Sequence, residues 1–389
     1  MKEMMDGFES KRAPKIFFGA GVVARLGEVV SSLGASKALL VTDPGVAAAG
    51  HADRALSFLK KHGVEVCYFD QAEENPTEGS LIKCLDFIKS YGEVDLIIGF
   101  GGGSSMDTAK GANFILTNGG TISDYVGYGK ARKPMLPFVA VPTTAGTGSE
   151  CQAYALIADE KTHVKRALGD PKAMAQVALL DPELVMTAPA SVIKATGMDA
   201  LAHAIESLVC KRANRFSRLY SREAFHLLSS HFERVLAEPG DIEASGSMLL
   251  GASYAGLAIE NSMLGCAHSC ANPFTAHYKI VHGVTVGLML PEVMRLNQEI
   301  ENVKHMYDSL ELGSKDDSVI DYIERMLHEL GFHEMVSEIS VTKDRVEAMA
   351  EMASKQWTAQ FNPRDFEQKD FVKVYENAIR MDAYSSCEK

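Results

Sequence analysis

The chain has 389 residues, of which 46% are hydrophobic and 23% are charged, as is ordinary for a soluble globular enzyme. This length favours two domains over a single core, and the net charge of −12 argues against nucleic acid or an anionic membrane surface as a partner. No apolar run reaches the about 18 residues that a membrane span needs, and the first residues lack the apolar core of a signal peptide. We therefore expect a cytoplasmic protein.

Short apolar runs alternate with helical patterns in the first half of the chain. Strands buried on both faces and separated by helices predict a parallel sheet with right-handed crossovers. Ligands of such sheets bind at the carboxyl ends of the strands. The candidate strands are residues 16–19, 37–43, 64–69, 95–100 and 138–141.

Strand patterns stop near residue 190, after a stretch marked by Pro182 and Pro189. We predict an α/β domain over residues 1–190 and an all-helical domain over residues 191–389. The segments with helical periodicity in the second domain are 195–211, 216–237, 244–272, 284–297, 318–330 and 346–355.

A glycine-rich loop follows the strongest predicted strand and opens a helix, over residues 99–110. Glycines let the backbone approach a phosphate, and free N–H groups at a helix N-terminus favour negative charge. The loop departs from the Gly-x-Gly-x-x-Gly dinucleotide fingerprint, because its third glycine position holds Ser104. By itself this pattern is equally typical of a tight turn.

A second loop, Pro-Thr-Thr-Ala-Gly-Thr-Gly-Ser-Glu at 142–150, also follows a predicted strand. Two loops of small residues at strand ends form a suitable cradle for a pyrophosphate and a ribose. Asp43 ends an earlier strand, where a carboxylate can accept hydrogen bonds from the adenosine ribose and repel a 2′-phosphate. Asp43 therefore favours NAD over NADP, although Asp-Pro-Gly at 43–45 is also a turn signal.

Candidate metal ligands lie in the second half of the chain. Asp199 and His203 are four residues apart in a helical pattern, so their side chains leave one face of the helix. His268 and His282 offer two more nitrogens. One oxygen and three nitrogens suit Fe²⁺ or Zn²⁺ better than Mg²⁺ or Ca²⁺. An isolated Asp-x-x-x-His pair is more often a surface pair, so Asp199 and His203 indicate a metal site only together with the other two candidates.

The seven cysteines show no spacing typical of a disulfide framework, which fits a reducing compartment. Cys266 and Cys270 flank His268, but on a helix they lie about 200° away from it. We expect them to be small apolar packing residues rather than metal ligands.

Taken together, these motifs resemble the iron-containing alcohol dehydrogenase family, within the dehydroquinate synthase-like superfamily. The similar stretches are Gly-Met-Asp-Ala-Leu-Ala-His-Ala-Ile-Glu at 197–206, Asn-x-x-Leu-Gly-x-x-His at 261–268, His-Gly at 282–283 and the two loops. The resemblance implies that Asp199, His203, His268 and His282 hold the metal. It also implies a nicotinamide dinucleotide bound by Gly102, Gly103, Ser104, Asp107, Thr143, Thr144, Thr147, Lys165 and Leu184, besides Asp43.

The activity that the resemblance implies is hydride transfer between NAD(H) and a small neutral alcohol, diol or aldehyde, by a homodimer with bound Fe²⁺ or Zn²⁺. A glycerol dehydrogenase-like or phosphorylated-polyol dehydrogenase, a dehydroquinate synthase-like elimination and a non-catalytic nucleotide-binding and metal-binding protein are the alternatives. A phosphorylated substrate would demand clustered Lys and Arg near the metal. The stretch 197–283 has few, which favours an uncharged substrate.

The chain departs from the family after the third ligand. Many members read His-x-x-x-His there, and the second histidine is linked to proton relay. Here that position is Asn272, whose amide cannot titrate and cannot act as a general acid. His277 is the candidate substitute. The change concerns the proton path and the substrate pocket, not metal binding or hydride transfer.

Overall fold

The computed structural model describes residues 7–160, 165–312 and 318–379. Its strands are β1 Lys15–Phe18, β2 Lys37–Val41, β3 Glu65–Phe69, β4 Leu96–Gly101, β5 Gly127–Tyr128, β6 Phe138–Pro142, β7 Tyr154–Ala158, β8 Lys165–Gly169 and β9 Val177–Leu180. The N-terminal part is built on a six-stranded parallel sheet of strand order β1-β9-β6-β4-β2-β3. A smaller sheet has the order β5-β8-β7.

Helices connect these strands and then continue alone to the end of the described chain. They are α1 Leu26–Ser32, α2 Pro44–Ala48, α3 His51–Lys61, α4 Glu78–Tyr91, α5 Gly103–Asn118, α6 Ile122–Tyr125, α7 Pro182–Val185, α8 Ala190–Val209, α9 Arg215–Ala237, α10 Ile242–Glu260, α11 Cys266–Tyr278, α12 His282–Asn297, α13 Glu301–Asp308, α14 Val319–Glu329, α15 Phe332–Val336, α16 Lys343–Ser354 and α17 Gln368–Ala378.

The large sheet is buried on both faces, as its continuous apolar strands predict. Leu39 and Val41 of β2 pack into a cluster on one face, together with residues of α4 and α5. Ala38 and Leu40 alternate with them and pack on the other face, against residues of α1 and α3. The predicted N-terminal parallel sheet followed by an all-helical region is confirmed, whereas the boundary at residue 190 stays a prediction.

Some strands were not predicted. β9 fills the sheet between β1 and β6, and the small sheet pairs β7 with β8 in antiparallel fashion. β8 reads Lys-Arg-Ala-Leu-Gly, which is too short and too polar to give a strand signal by itself. It forms because β7 and β5 supply its hydrogen-bonding partners. The formation of β8 therefore depends on its pairing with strands elsewhere in the chain.

The helical region differs from the sequence prediction at one point that matters for the site. The helical periodicity over 244–272 predicted continuous helix, but the structure has α10 and α11 with a break between Glu260 and Cys266. Gly265 has an extended backbone before α11, and the side chains of Asn362 and Glu206 accept the backbone N–H groups of Cys266 and Ala267. These long-range acceptors fix where α11 begins.

The described cysteines behave as predicted packing residues. Cys266 and Cys270 are buried in the helical core, and the six described cysteines are all unpaired. Cys387 lies outside the described residues. Within the described ranges, no helix is long and apolar enough to cross a membrane.

Candidate active site

Three neighbouring strands bring the predicted cofactor loops to one edge of the sheet. β4 lies between β2 and β6, with Val41 of β2 opposite Gly99 and Gly101 of β4 opposite Pro142. Because the strands are parallel, the residues that follow them emerge side by side. Asp43, Gly102 and Thr143 therefore start three adjacent loops, which we call the cofactor side of the site.

The two glycine-containing loops are in direct contact. A methyl group on Gly103 would lie 2.7 Å from Thr147 Cγ2, and one on Gly102 would lie 3.4 Å from Thr144 Oγ1. The glycines thus let the threonines of the second loop approach the start of α5. Gly102 precedes α5 without a side-chain cap, so the first N–H groups of this helix are available to an anion. These contacts leave room for the predicted phosphate cradle, which stays a prediction.

Asp43 has structural partners in addition to its predicted ribose contact. Its Oδ1 accepts the N–H of Val46 at 3.0 Å, which makes Asp43 the N-cap of α2. Its Oδ2 accepts the hydroxyl of Ser105 at 3.0 Å. Asp43 therefore begins a helix and not the turn that Asp-Pro-Gly also predicted, and each of its oxygens retains a lone pair for a further donor.

Asp107 lies on α5 beside a buried cation that the sequence did not identify. The Ser149 hydroxyl donates to Asp107 at 3.2 Å, and burial raises the pKa of Asp107 to about 6. The buried Lys110 ammonium lies within hydrogen-bonding distance of four oxygens, among them the backbone carbonyls of Gln152 and Tyr154 at 2.8 and 3.0 Å. Lys110 thereby ties α5 to the chain after the second loop.

The remaining cofactor candidates fall in different places. Thr143 is buried, and its backbone N–H donates to the carbonyl of Gly101. Ser104 accepts the N–H of Asn75 at 3.2 Å. Leu184 is 1% exposed and packs in the core on one face of the sheet, so its side chain does not reach the surface of the loops.

The helix α8 carries the first part of the predicted metal side. Asp199 and His203 are both buried and lie one turn apart, and the Nε2 of His203 is 3.6 Å from the Oδ1 of Asp199. Nearly all other residues on this part of α8 are buried apolar side chains. Buried polar groups in such surroundings require partners, which points to a site rather than a surface pair.

Two other helices bring histidines to Asp199. His268 of α11 places its Nε2 3.4 Å from the Oδ1 of Asp199, and its ring stacks on His203 with centroids 4.8 Å apart. Asp199, His268 and His282 each offer a ligand atom within 4.8 Å of the other two. His203 lies beside this trio and not within it. The structure thus brings all four predicted ligands together on α8, α11 and α12.

A glycine sets the position of His282, the first residue of α12. A methyl group on Gly283 would lie 1.9 Å from the carbonyl oxygen of Ala195 on α8. Only glycine permits this approach, since the nearest atom belongs to the backbone of the neighbouring helix. The His-Gly pair therefore combines a ligand candidate with the residue that lets its helix reach α8.

The electrostatics of the cluster suit a divalent cation. Burial by itself would raise the pKa of Asp199, but the charges of His203, His268 and His282 hold it well below its ordinary value. Burial lowers the pKa values of His203 and His282. Metals require an ionised carboxylate and neutral imidazoles as ligands, and the pKa shifts of Asp199, His203 and His282 favour these forms. His268, whose pKa is raised, must release a proton when a metal binds.

Several buried atoms of the cluster lack a hydrogen-bonding partner among the described residues: Asp199 Oδ1, His203 Nδ1, His268 Nε2 and His282 Nδ1. Such atoms are costly to bury unless something else satisfies them. Fe²⁺ or Zn²⁺ bound between them would do so, and the mixture of one carboxylate with imidazoles matches the ligands that these ions accept. The residues present fit the metal that the family resemblance implies.

Glu206 belongs to the same face of α8 and was not predicted as a functional residue. Its carboxylate accepts from the Nδ1 of His268 at 2.5 Å and is buried. Burial opposes a charge on His268, yet Glu206 and Asp199 raise the pKa of His268 to about 9. The spacing of Asp199, His203 and Glu206, at i, i+4 and i+7, was a signal in the sequence that could have identified it.

The two residues considered for the proton relay, Asn272 and His277, lie on different sides of α11. Asn272 lies one turn after His268 on α11, and its amide donates to the side-chain oxygen of Gln356 at 3.2 Å. His277 is nine residues from His268, which is about 180° around the helix. Its side chain is largely exposed, and partial burial together with the charge of Arg345 lowers its pKa. The structure does not bring His277 to the cluster.

The cofactor side and the metal side are in contact. A methyl group on Gly146, in the second loop, would lie 2.4 Å from the Cβ of Thr196 on α8. Lys165 at the start of β8 connects the two sides electrostatically: burial lowers its pKa, while Asp199 and Asp107 act in the opposite direction. A dinucleotide held by the loops would therefore have one end close to the histidine cluster.

Comparisons with known proteins cover both halves of the chain. The model of the iron-containing alcohol dehydrogenase family matches residues 13–182, and that of the family's C-terminal domain matches residues 193–379. The chain is 32% identical over 375 residues to the NAD-dependent methanol dehydrogenase of Bacillus methanolicus, covering 94% of this chain and 98% of that protein. It is 33% identical over 375 residues to the 1,3-propanediol dehydrogenase of Citrobacter freundii, covering 93% and 96%.

The solved structure of an alcohol dehydrogenase from Oenococcus oeni has the same fold. It superposes with a TM-score of 0.90 at 30% identity, covering 96% of this chain and all of that one. Both halves of the chain and the identity to whole relatives point to the same family. The chain belongs to the iron-containing alcohol dehydrogenase family, and it is an oxidoreductase that interconverts alcohols and aldehydes.

Proposed function

We propose that the protein transfers a hydride between NAD(H) and a small uncharged alcohol, diol or aldehyde, with a divalent metal held by Asp199, His203, His268 and His282. The observation that carries this proposal is the buried carboxylate–histidine cluster on α8, α11 and α12, together with the close approach of Gly146, in the loop that follows β6, to Thr196 of α8. A hydride acceptor on the loops and a polarised oxygen at the cluster would lie within one shared cleft.

The residues of the chain divide the chemistry between them. When bound, a divalent metal in the cluster supplies Lewis-acid chemistry that polarises the substrate oxygen. Four residues would hold the pyrophosphate and orient the nicotinamide, through the backbone at Gly102 and Gly103 and the hydroxyls of Thr144 and Thr147. The cofactor itself supplies the hydride chemistry, so the protein contributes position and electrostatics.

NAD is the proposed dinucleotide, in preference to NADP. The carboxylate of Asp43 stands at the end of β2, where it would accept hydrogen bonds from a ribose and repel a 2′-phosphate. Its hydrogen bonds to Val46 and Ser105 hold it in place. The Bacillus methanolicus relative, described as NAD-dependent, supports the same choice.

A small neutral substrate is proposed from the relatives and from the charge pattern. Methanol and 1,3-propanediol, which give two relatives their names, are both small and uncharged. The helices α8 and α11, which are described in full, place Asp199, His203 and His268 among apolar neighbours. These two helices carry one lysine, Lys194, and no arginine, which is too little positive charge to select a phosphate.

The assembly, the compartment and the metal are further parts of the proposal. Resemblance to the family supports a homodimer, which sedimentation of the purified protein would test. Six unpaired cysteines in the described ranges fit a reducing cytoplasm. The ligand set suits Fe²⁺ and Zn²⁺ alike, and we propose Fe²⁺ because the family matches are to iron-containing enzymes.

The test is NADH oxidation by anaerobically purified, Fe²⁺-loaded protein with a panel of short neutral aldehydes. Turnover that disappears on chelation and returns with Fe²⁺ is the expected result. A protein that binds metal and NADH but reduces none of the aldehydes would contradict the proposed substrate class. Turnover that survives complete metal removal would contradict the role of the cluster. Parallel assays with Zn²⁺ and NADPH decide the metal and the dinucleotide.

A further inference from the structure

Glu206 is a buried carboxylate next to the predicted ligands but outside their set. It is 4% exposed, and both of its oxygens are used by α11. Oε2 accepts from the Nδ1 of His268 at 2.5 Å, and Oε1 accepts the backbone N–H of Ala267 at 2.7 Å. One side chain of α8 therefore contacts both the backbone and a predicted ligand of α11.

These contacts determine which nitrogen of His268 can bind a cation. An ionised carboxylate is only an acceptor, so Nδ1 of His268 carries a hydrogen and only Nε2 can offer a lone pair, once it has released its own proton. Nε2 is the atom that lies 3.4 Å from the Oδ1 of Asp199 and has no hydrogen-bonding partner among the described residues. The nitrogen of His268 that would bind a cation is thus directed into the cluster.

A second acceptor at the same helix end serves as an internal comparison. Asn362 accepts the N–H of Cys266 at 3.2 Å, next to the N–H that Glu206 accepts. A methyl group on Gly265 would lie 2.8 Å from the Oδ1 of Asn362 and 3.0 Å from the Oε1 of Glu206, so this glycine admits both side chains. Both residues cap α11, but only Glu206 hydrogen-bonds to His268.

We propose that Glu206 is a positioning residue for the metal: it holds the His268 ring in the tautomer and orientation that present Nε2 to the cation. Carboxylate–histidine–metal arrangements of this kind fix the ring and increase the basicity of the ligand. The proposal rests on the proposed function, in which His268 is a metal ligand. It adds a residue whose effect on the metal passes through His268.

The variant Glu206→Gln separates positioning from helix capping. Glutamine has one acceptor oxygen for two donors, and the backbone N–H of Ala267 is fixed. Once the oxygen accepts that N–H, the amide presents hydrogens to Nδ1 of His268 and favours the wrong tautomer. We expect Co²⁺ affinity of the full chain, titrated against a competing chelator, to fall about 10- to 100-fold. The visible spectrum of bound Co²⁺ should change as well, because a ligand is displaced.

Two further variants complete the test. Asn362→Ala removes a cap of α11 without touching His268, so it should lower the melting temperature while Co²⁺ affinity stays within about twofold of wild type. Glu206→Asp retains a carboxylate and should recover part of the affinity lost in Glu206→Gln. NADH affinity, measured by fluorescence, should be unchanged in all three variants. An unchanged affinity would show that the cofactor side is still folded.

The outcomes discriminate between the two proposals. Unchanged Co²⁺ affinity and spectrum in Glu206→Gln would overturn the positioning role, as would an equal loss of affinity in Asn362→Ala. A wild-type chain that binds neither Co²⁺ nor Fe²⁺ would instead overturn the proposed function. Wild-type metal binding and turnover with an unaffected Glu206→Gln would leave the proposed function intact and remove only the role of Glu206.

Discussion

The cofactor side of the site consists of loops that directly follow neighbouring strands, whereas the metal side consists of side chains carried by three separate helices. On the cofactor side, the loops are shaped mainly by backbone and small residues, as in the close approach of Gly103 to Thr147. On the metal side, single atoms of Asp199, His268 and His282 converge from distant parts of the chain. The first region should therefore be sensitive to added bulk, and the second to the loss of one side chain or to a change in helix spacing.

The largest effect is expected from Asp199→Ala. Asp199 Oδ1 is the atom that both His203 and His268 approach, so its removal should abolish stable metal binding. Loss of about 4 kcal/mol of transition-state stabilisation corresponds to about a thousandfold fall in kcat/KM. Steady-state aldehyde reduction and metal analysis would measure it. NADH affinity is the control, and an active metal-free variant would contradict the assignment.

Gly283→Ala tests helix spacing without removing a ligand. Its added methyl group would lie 1.9 Å from the Ala195 carbonyl, so α12 must move away from α8 and carry His282 with it. We expect the free energy of unfolding to fall by about 2 to 3 kcal/mol, because overpacking has a cost of this order. Metal binding should also become weaker. Gly240→Ala, where an added methyl group meets nothing within 4 Å, is the matched control in urea unfolding. Equal stability of the two variants would contradict the close approach.

Gly103→Ala is the corresponding test on the cofactor side. The methyl group would lie 2.7 Å from Thr147 Cγ2 and should separate the two loops. We expect the dissociation constant of NADH to rise about tenfold, which is about 1.4 kcal/mol. Metal affinity should be unchanged, because the cluster is built on other elements. A variant that loses metal but retains NADH affinity would reverse the division between the two sides.

Asp43→Asn should change the preference for NADH over NADPH without a large effect on stability. Asparagine is as good an N-cap as aspartate, so the start of α2 should be retained while the charge is removed. We expect the preference for NADH over NADPH, as a ratio of kcat/KM values, to fall by about tenfold, which is about 1.4 kcal/mol. Asp43→Ala, which also loses the cap, should cost about 1 kcal/mol of stability in addition. An unchanged ratio in both variants would contradict a ribose contact.

The smallest effect is expected from Asn272→His. Wild-type Asn272 cannot titrate, whereas an imidazole has an ordinary pKa of about 6.5. Aldehyde reduction consumes a proton, so a relay through the new histidine would add a component to the rate that is present below pH about 6.5 and is lost as the pH rises through that value. A few-fold change in the pH profile of kcat would show it. Superimposable profiles would place the proton path elsewhere.

Much of the cofactor side could be predicted from the sequence because it is local. Asp43, Gly102 and Thr143 each follow an apolar run within two residues, and parallel strands leave their ends at one edge. The burial of Leu184 and the burial of the Lys110 ammonium could not be predicted in this way. Both depend on which elements pack over α5 and α7, and a single lysine in a helical pattern gives no signal of burial.

On the metal side, the sequence supplied the candidate ligands and indicated that Asp199 and His203 share one helix face. The assignment of all four residues to one metal relied on the resemblance to a family. The break before α11, the role of Glu206 at its N-terminus and the exposed position of His277 came from the structure. Periodicity over 244–272 indicated helix but could not locate the break, because the acceptors Glu206 and Asn362 lie far away along the chain.

The sequence by itself determined the alternation of strand and helix, the small loops after the strands and the chemical types of the ligands. These features depend on neighbours within a few residues, where side-chain period and backbone freedom decide. Only the tertiary structure decided that Nε2 of His268 faces Asp199, that Gly283 meets Ala195 and that the loop at Gly146 contacts α8. These contacts join residues from different elements, and their distances follow from packing, which local sequence patterns do not specify.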